Sequence, residues 1–228
     1  MLLLFDIDGT LTWGGPAKEA FQVGLESVFG TSGPIEDHEF SGKTDPQIAR
    51  ELMERAGLPR EEIDAGIDAL WDAYLVELER RIVDQPVTVL PGVAELLGVL
   101  DSSLDVFLGL VTGNVERGAH LKLGSAGLTD FFPVGGFGSD HAARDRLPPV
   151  ALERASTHWG RSFSGADAVV IGDTPRDVAC GKAVGAATVA VATGRFTAAE
   201  LRACGPDTVL QDLSDTEGVL RDLRSFFP

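Results

Sequence analysis

Apolar residues recur along this chain in two rhythms. Runs at 2–5, 106–111, 168–171 and 187–192 are nearly continuous, and each is followed by aspartate, threonine or glycine. Short apolar runs ended by turn residues suit strands buried on both faces of a parallel sheet. A weaker strand is expected at 132–137, where Pro133 and the pair Gly135-Gly136 are best tolerated at a sheet margin, and a short one at 208–210. Helical spacing fills the intervals: 93–100, the stretch carrying Leu121, Leu123 and Ala126, the segment opened by Pro148-Pro149, a segment after Asp177 that runs to Val184, the neighbourhood of Leu201 and the carboxyl end. Strands alternating with helices predict an α/β fold, a doubly wound, Rossmann-like parallel sheet.

One block breaks the alternation. Leu11-Thr12-Trp13-Gly14-Gly15-Pro16 has the composition of a loop or hinge. Pro16 then opens a helix through Phe21, Leu25 and Phe29, stopped by Gly30. A polar loop follows. Asp45 is expected to cap a second helix, with Pro46 at its first position, carrying Ile48, Leu52 and Met53. The strongest helical pattern joins Ile63, Ile67, Leu70, Trp71, Tyr74, Leu75, Leu78 and Ile82, in which Trp71 and Tyr74 are expected to be core. Residues 14–85 therefore form a smaller all-helical cap domain inserted after the first strand. Residues 1–13 and 86–228 form the α/β catalytic core.

Three strand ends carry chemistry. The first supplies Asp6, Asp8 and Thr10; the second, Thr112, Gly113 and Asn114; a later one, Gly172, Asp173 and Asp177. In a parallel sheet these ends share one edge, where open α/β sheets bind ligands. If strand geometry persists through Asp8, its side chain and that of Asp6 point the same way. Clustered carboxylates repel and call for a cation, and oxygen ligands favour a hard ion such as Mg2+. Hydroxyl and amide groups on the same edge suit anionic oxygens. A fixed positive charge is also needed, and Arg144 and Arg146 precede the Pro148-Pro149 helix beside that edge.

Composition narrows the partners. The 228 residues suit one large domain or a domain with an insert, and 44% hydrophobic content supports a sizeable core. A formal net charge of −16 argues against nucleic acid or an anionic membrane as partner, and it makes local positive charge necessary for any anionic substrate. Two cysteines are too few for a disulfide scaffold, so a cytoplasmic location is expected, with Cys180 a packed small side chain. The first residues suggest neither a signal peptide nor a membrane span. His38, His120, His141 and His158 form no ligand cluster in the sequence.

Asp6-Ile7-Asp8-Gly9-Thr10, the strand-terminal Thr112 and Gly172-Asp173-Thr174-Pro175-Arg176-Asp177 together resemble the motifs of the haloacid dehalogenase superfamily of phosphohydrolases. The inserted helical cap is similar to that of its phosphoglycolate phosphatase-like branch. The resemblance implies that Asp6 attacks phosphorus and forms an aspartyl-phosphate, while Asp8 protonates the leaving oxygen and then activates water. It implies Mg2+ held by Asp6, the backbone carbonyl of Asp8 and Asp173, with Asp177 orienting the metal shell or pairing with the basic residue. Thr112, Gly113 and Asn114 would hold the phosphoryl oxygens. Relatives present a lysine where this chain has Arg144-Asp145-Arg146-Leu147-Pro148-Pro149; the register on Pro149 selects Arg144, with Arg146 the alternative. Lys43, in the cap, is expected to contact the distal part of the substrate. The expected substrate is a small phosphorylated metabolite, and the expected assembly a monomer or small homo-oligomer. A phosphonate hydrolase, a sugar phosphomutase and a catalytically idle binding module are the alternatives.

Overall fold

The computed structural model describes residues 1–226. Its strands are β1 (Leu2–Phe5), β2 (Thr12–Trp13), β3 (Thr88–Val89), β4 (Phe107–Thr112), β5 (Val134–Phe137), β6 (Ala168–Gly172), β7 (Ala187–Val191) and β8 (Thr208–Leu210). Its α-helices are α1 (Ala17–Phe29), α2 (Asp45–Arg55), α3 (Arg60–Ile82), α4 (Val93–Asp101), α5 (Glu116–Ala126), α6 (Leu147–Trp159), α7 (Pro175–Ala183), α8 (Ala198–Ala203) and α9 (Thr216–Ser225).

Six strands form one parallel sheet in the order β5-β4-β1-β6-β7-β8. The first strand lies in the middle, with Phe5 opposite Leu110 on one side and Ile171 on the other. The glycine-rich β5 takes an edge, as its composition predicts. Side chains of β1 alternate between two cores. Leu3 and Phe5 join Leu96 and Leu97 of α4 and Leu223 of α9, while Leu2 and Leu4 join Leu147 and Ala151 of α6. All four β1 side chains are fully buried, each worth about 2 kcal/mol of transfer free energy. That burial anchors the loop that follows.

Helices α1, α2 and α3 share a separate core built on Phe21, Leu25, Leu52, Met53, Leu70 and Tyr74. Val115, at the start of α5, belongs to the same cluster, so the cap is seated on a core helix.

Two local expectations are corrected. Thr44, not Asp45, caps α2: its hydroxyl accepts the Gln47 N–H at 3.2 Å. The Asp45 carboxylate is used elsewhere, accepting the Val115 N–H at 2.8 Å, so a cap residue satisfies a backbone donor at the buried start of a core helix. The stretch 11–16 is also not all loop. Its residues Thr12 and Trp13 pair antiparallel with Val89 and Thr88, making a short ribbon where the chain enters and leaves the cap.

Candidate active site

Strands β4, β1 and β6 are neighbours, so the loops at their carboxyl ends converge. The Asp6 N–H donates to the Ile171 carbonyl at 2.9 Å, which prolongs the β1 pairing up to the carboxylate. Asp6, Asp173 and Asp177 are all buried, and each offers an oxygen within 4.8 Å of the others. Two glycines make room for Asp173. A Cβ on Gly9 would lie 2.4 Å from an Asp173 oxygen and one on Gly194 would lie 1.7 Å from it, both far inside contact distance. The Thr10 hydroxyl donates to the other Asp173 oxygen at 3.3 Å.

Arg144 supplies the fixed cation. It sits in a one-turn 3-10 helix (Arg144–Arg146) ahead of α6, and one terminal nitrogen lies 2.5 Å from Asp177 and 3.1 Å from Asp6. Arg146 is exposed. Asp177 uses its second oxygen to accept the Thr174 N–H and hydroxyl, at 3.0 and 2.6 Å, closing a capping box on α7. Its carboxylate is thereby fixed to aim at Arg144. Cys180 is buried and donates its thiol to the Arg144 carbonyl at 3.3 Å, a packing role as expected.

The charges do not balance. Burial pushes the Asp6 carboxyl up to about 6, against the pull of Arg144. Burial, and then the neighbouring Asp177 and Asp6, push Asp173 up to about 9. Burial works against the charge of Arg144, yet Asp177 and Asp6 hold it firmly protonated. Three carboxylates facing one guanidinium are short of positive charge. An all-oxygen donor set of this kind fits a hard divalent cation.

Asp8 has a different setting. Its carboxylate is about half exposed, and Lys122 donates to both of its oxygens at 2.8 and 2.7 Å. Asn114 donates to Asp8 at 2.7 Å and to the Thr112 hydroxyl at 2.8 Å, and its own oxygen accepts from Lys122 at 2.7 Å. Although its surroundings desolvate Asp8, the Lys122 ammonium and these hydrogen bonds hold its carboxyl below the usual range. Asp6 and Asp8, two residues apart, thus have carboxyls displaced in opposite directions. The sequence reasoning missed Lys122. The signal was present, since α5 buries Gly118, Ala119, Lys122 and Leu123, and the lysine lies within that stripe.

A cavity of about 450 Å³ opens above these groups, between core loops and cap. Asp6, Asp8, Thr112, Gly113, Asn114, Lys122 and Arg144 line the core side, while Trp13, Phe21, Phe40, Lys43, Ile48 and Tyr74 line the rest. Tyr74 is cap core, as expected, and also cavity wall. Lys43 lines the cavity, but its ammonium is held by Glu51 at 2.5 Å, with His38 at 3.4 Å. The cap is hooked to the core beside the cavity. The Asp45 N–H donates to the Gly113 carbonyl at 2.8 Å, the Thr44 hydroxyl to the Ala142 carbonyl at 2.6 Å, and Arg195 pairs with Glu39. Among the described residues, no helix is long and apolar enough to cross a membrane.

Known proteins show the same architecture. The family of haloacid dehalogenase-like hydrolases matches residues 1–185. The chain is 28% identical to a probable phosphatase IndB of Dickeya dadantii, over 97% of this chain and 94% of that protein. It is 27% identical to a phosphoglycolate phosphatase of Chromobacterium violaceum, over 96% and 95%. A hydrolase from Pseudomonas syringae has the same fold, with a TM-score of 0.72 at 21% identity, over 97% of this chain and 98% of that one. The convergent aspartates, the inserted helical cap and a family match over most of the chain agree, and the chain belongs to the haloacid dehalogenase-like hydrolases.

Proposed function

We propose that the chain is a magnesium-dependent phosphatase that hydrolyses a small phosphorylated metabolite through an aspartyl-phosphate intermediate. One observation carries this reading: Asp6 lies 3.1 Å from the buried Arg144 on the floor of the cavity, while Asp8, on the same loop, is paired separately with Lys122. Asp6, against the guanidinium, is read as the nucleophile, and Asp8, half exposed at the cavity, as the proton carrier. The names borne by the relatives in Dickeya and Chromobacterium support the same class of reaction.

In this mechanism an Asp6 oxygen attacks phosphorus and the ester oxygen leaves with a proton from Asp8. Asp8 then takes a proton from the water that hydrolyses the acyl phosphate. Arg144 keeps Asp6 ionised and offsets charge on the phosphoryl oxygens, and Asp177 aims Arg144. The Thr112 hydroxyl and the Gly113 and Asn114 amides hold those oxygens. Phosphoryl transfer depends mainly on such positioning and charge neutralisation. Asp6, Asp173 and the Asp8 carbonyl would hold Mg2+, which when bound neutralises the transferring group.

Asp6→Asn removes the attacking oxygen while preserving size. Turnover of 4-nitrophenyl phosphate in the presence of magnesium is expected to vanish. A variant retaining near-wild-type turnover would remove Asp6 as nucleophile. Wild-type activity that survives exhaustive chelation would remove the metal.

A further inference from the structure

Away from the core loops the cavity lining is largely aromatic and aliphatic, with Trp13, Ala17, Phe21, Phe40, Ile48 and Tyr74 beside the polar Lys18, Ser41, Lys43 and Asp45. Four cations also line the cavity, and each is engaged. Lys18 pairs with Glu36 at 2.7 Å, Lys43 with Glu51 at 2.5 Å, Lys122 with Asp8 at 2.7 Å and Arg144 with Asp177 at 2.5 Å. Lys122 and Arg144 belong to the chemistry at the floor. On the cap side Lys43, 11% exposed, is neutralised by Glu51, whereas the Lys18–Glu36 pair is solvent-exposed and weak. A second anionic group on the substrate would therefore meet aromatic faces instead of an unpaired cation, at a high desolvation cost.

Size points the same way. A volume of about 450 Å³ is far more than a phosphate with a two-carbon tail requires. The remainder would hold water against apolar walls, at about 30 Å³ per molecule, whereas an apolar guest would displace it. Trp13 is the third observation. It is 54% exposed at the cavity, on the ribbon that joins cap to core, although Thr12 beside it is fully buried. A half-bare indole beside a binding cleft gains most from a flat apolar group laid against it.

We infer that the substrate of this site is the phosphate monoester of an uncharged alcohol bearing an aromatic or bulky apolar body, and that Trp13 is a specificity-determining residue for that body. This rests on the phosphatase reading above. The ester binds with its phosphoryl group over Asp6 and its body along the Trp13–Phe40 wall. Hydrolysis breaks the phosphorus–oxygen bond, adds water and releases the neutral alcohol and inorganic phosphate.

The test compares 2-phenylethyl phosphate with 2-phosphoglycolate on the magnesium-loaded protein. Both leave as alkyl alcohols, so the comparison reads recognition in place of leaving-group reactivity. The expected kcat/KM favours the phenylethyl ester by about tenfold or more. Trp13→Ala should shrink that ratio by about tenfold, and Trp13→Phe should restore most of it. Equal or better turnover of phosphoglycolate overturns the substrate class while leaving the phosphatase intact, and an unchanged ratio in Trp13→Ala overturns the role of the indole. If neither ester is hydrolysed while 4-nitrophenyl phosphate is, the substrate class falls and the phosphatase stands; if none of the three is hydrolysed by protein that binds magnesium, both readings fail.

Discussion

Lys122 does more at this site than its place in a helix suggests. It is 4% exposed, and its ammonium is shared between Asp8 and Asn114. Nothing else near Asp8 lowers its carboxyl as strongly. Lys122→Met keeps most of the side-chain length and removes the charge. The Asp8 pKa must then rise, so the limb of the kcat/KM pH profile set by Asp8 moves to higher pH, by about one unit or more. A profile that stays in place would detach Lys122 from Asp8's titration. At this scale much of the site was legible. Asp6, Thr112 and Asp173 could be found because each follows an apolar run, and Arg144 because its offset from Pro149 selects it over Arg146. Lys122 was not found because lysine in a helix ordinarily faces solvent, and only the buried stripe through Ala119 and Leu123 marks it as internal.

Among elements, the decisive contact is between the loop after β4 and the start of α2. Gly113 lies so close to the cap that an added Cβ would sit 2.0 Å from the Lys43 carbonyl oxygen. Backbone oxygen cannot give way as a flexible side chain does. Gly113→Ala should therefore lift the cap from the core without disturbing the sheet. A displacement of this order lowers kcat/KM by about a hundredfold, while the thermal unfolding midpoint stays near that of the wild type. Full activity with the alanine in place would show that the cap need not seat for turnover. The capping of α2 shows where sequence reasoning stops. Thr44 and Asp45 are both good N-cap residues. What separates them is the orphan N–H of Val115, seventy positions along the chain, which claims Asp45. The strands β2 and β3 escaped for a plainer reason, since two residues are too few to establish a period. The edge position of β5 was legible because proline and glycine are poorly suited to a central strand.

The molecule as a whole carries a formal charge of −16, and the guest proposed for it is an anion. Fields of like sign slow encounter, and salt weakens them over a screening length of about 10 Å at 0.1 M. Raising potassium chloride from about 10 mM to about 150 mM should thus increase kcat/KM for a dianionic phosphate ester, roughly two- to fivefold. The reverse trend would mean that the cations of the cavity outweigh the global charge. The overall architecture was the most legible level of all, because alternation of apolar runs with helical spacing repeats over most of the chain and tolerates local error. The seating of the cap on α5 was not, since Val115 gives no sign in the sequence that it joins the cap's core rather than the sheet's.

The ribbon of Thr12-Trp13 against Thr88-Val89 brings the two ends of the inserted helices side by side. A segment whose ends already meet can be cut out and replaced by another of different length, with the flanking strands left undisturbed. Grafting a foreign helical bundle between these strands would thus replace the roof of the cavity while Trp13, on the ribbon itself, and the aspartates beneath keep their places.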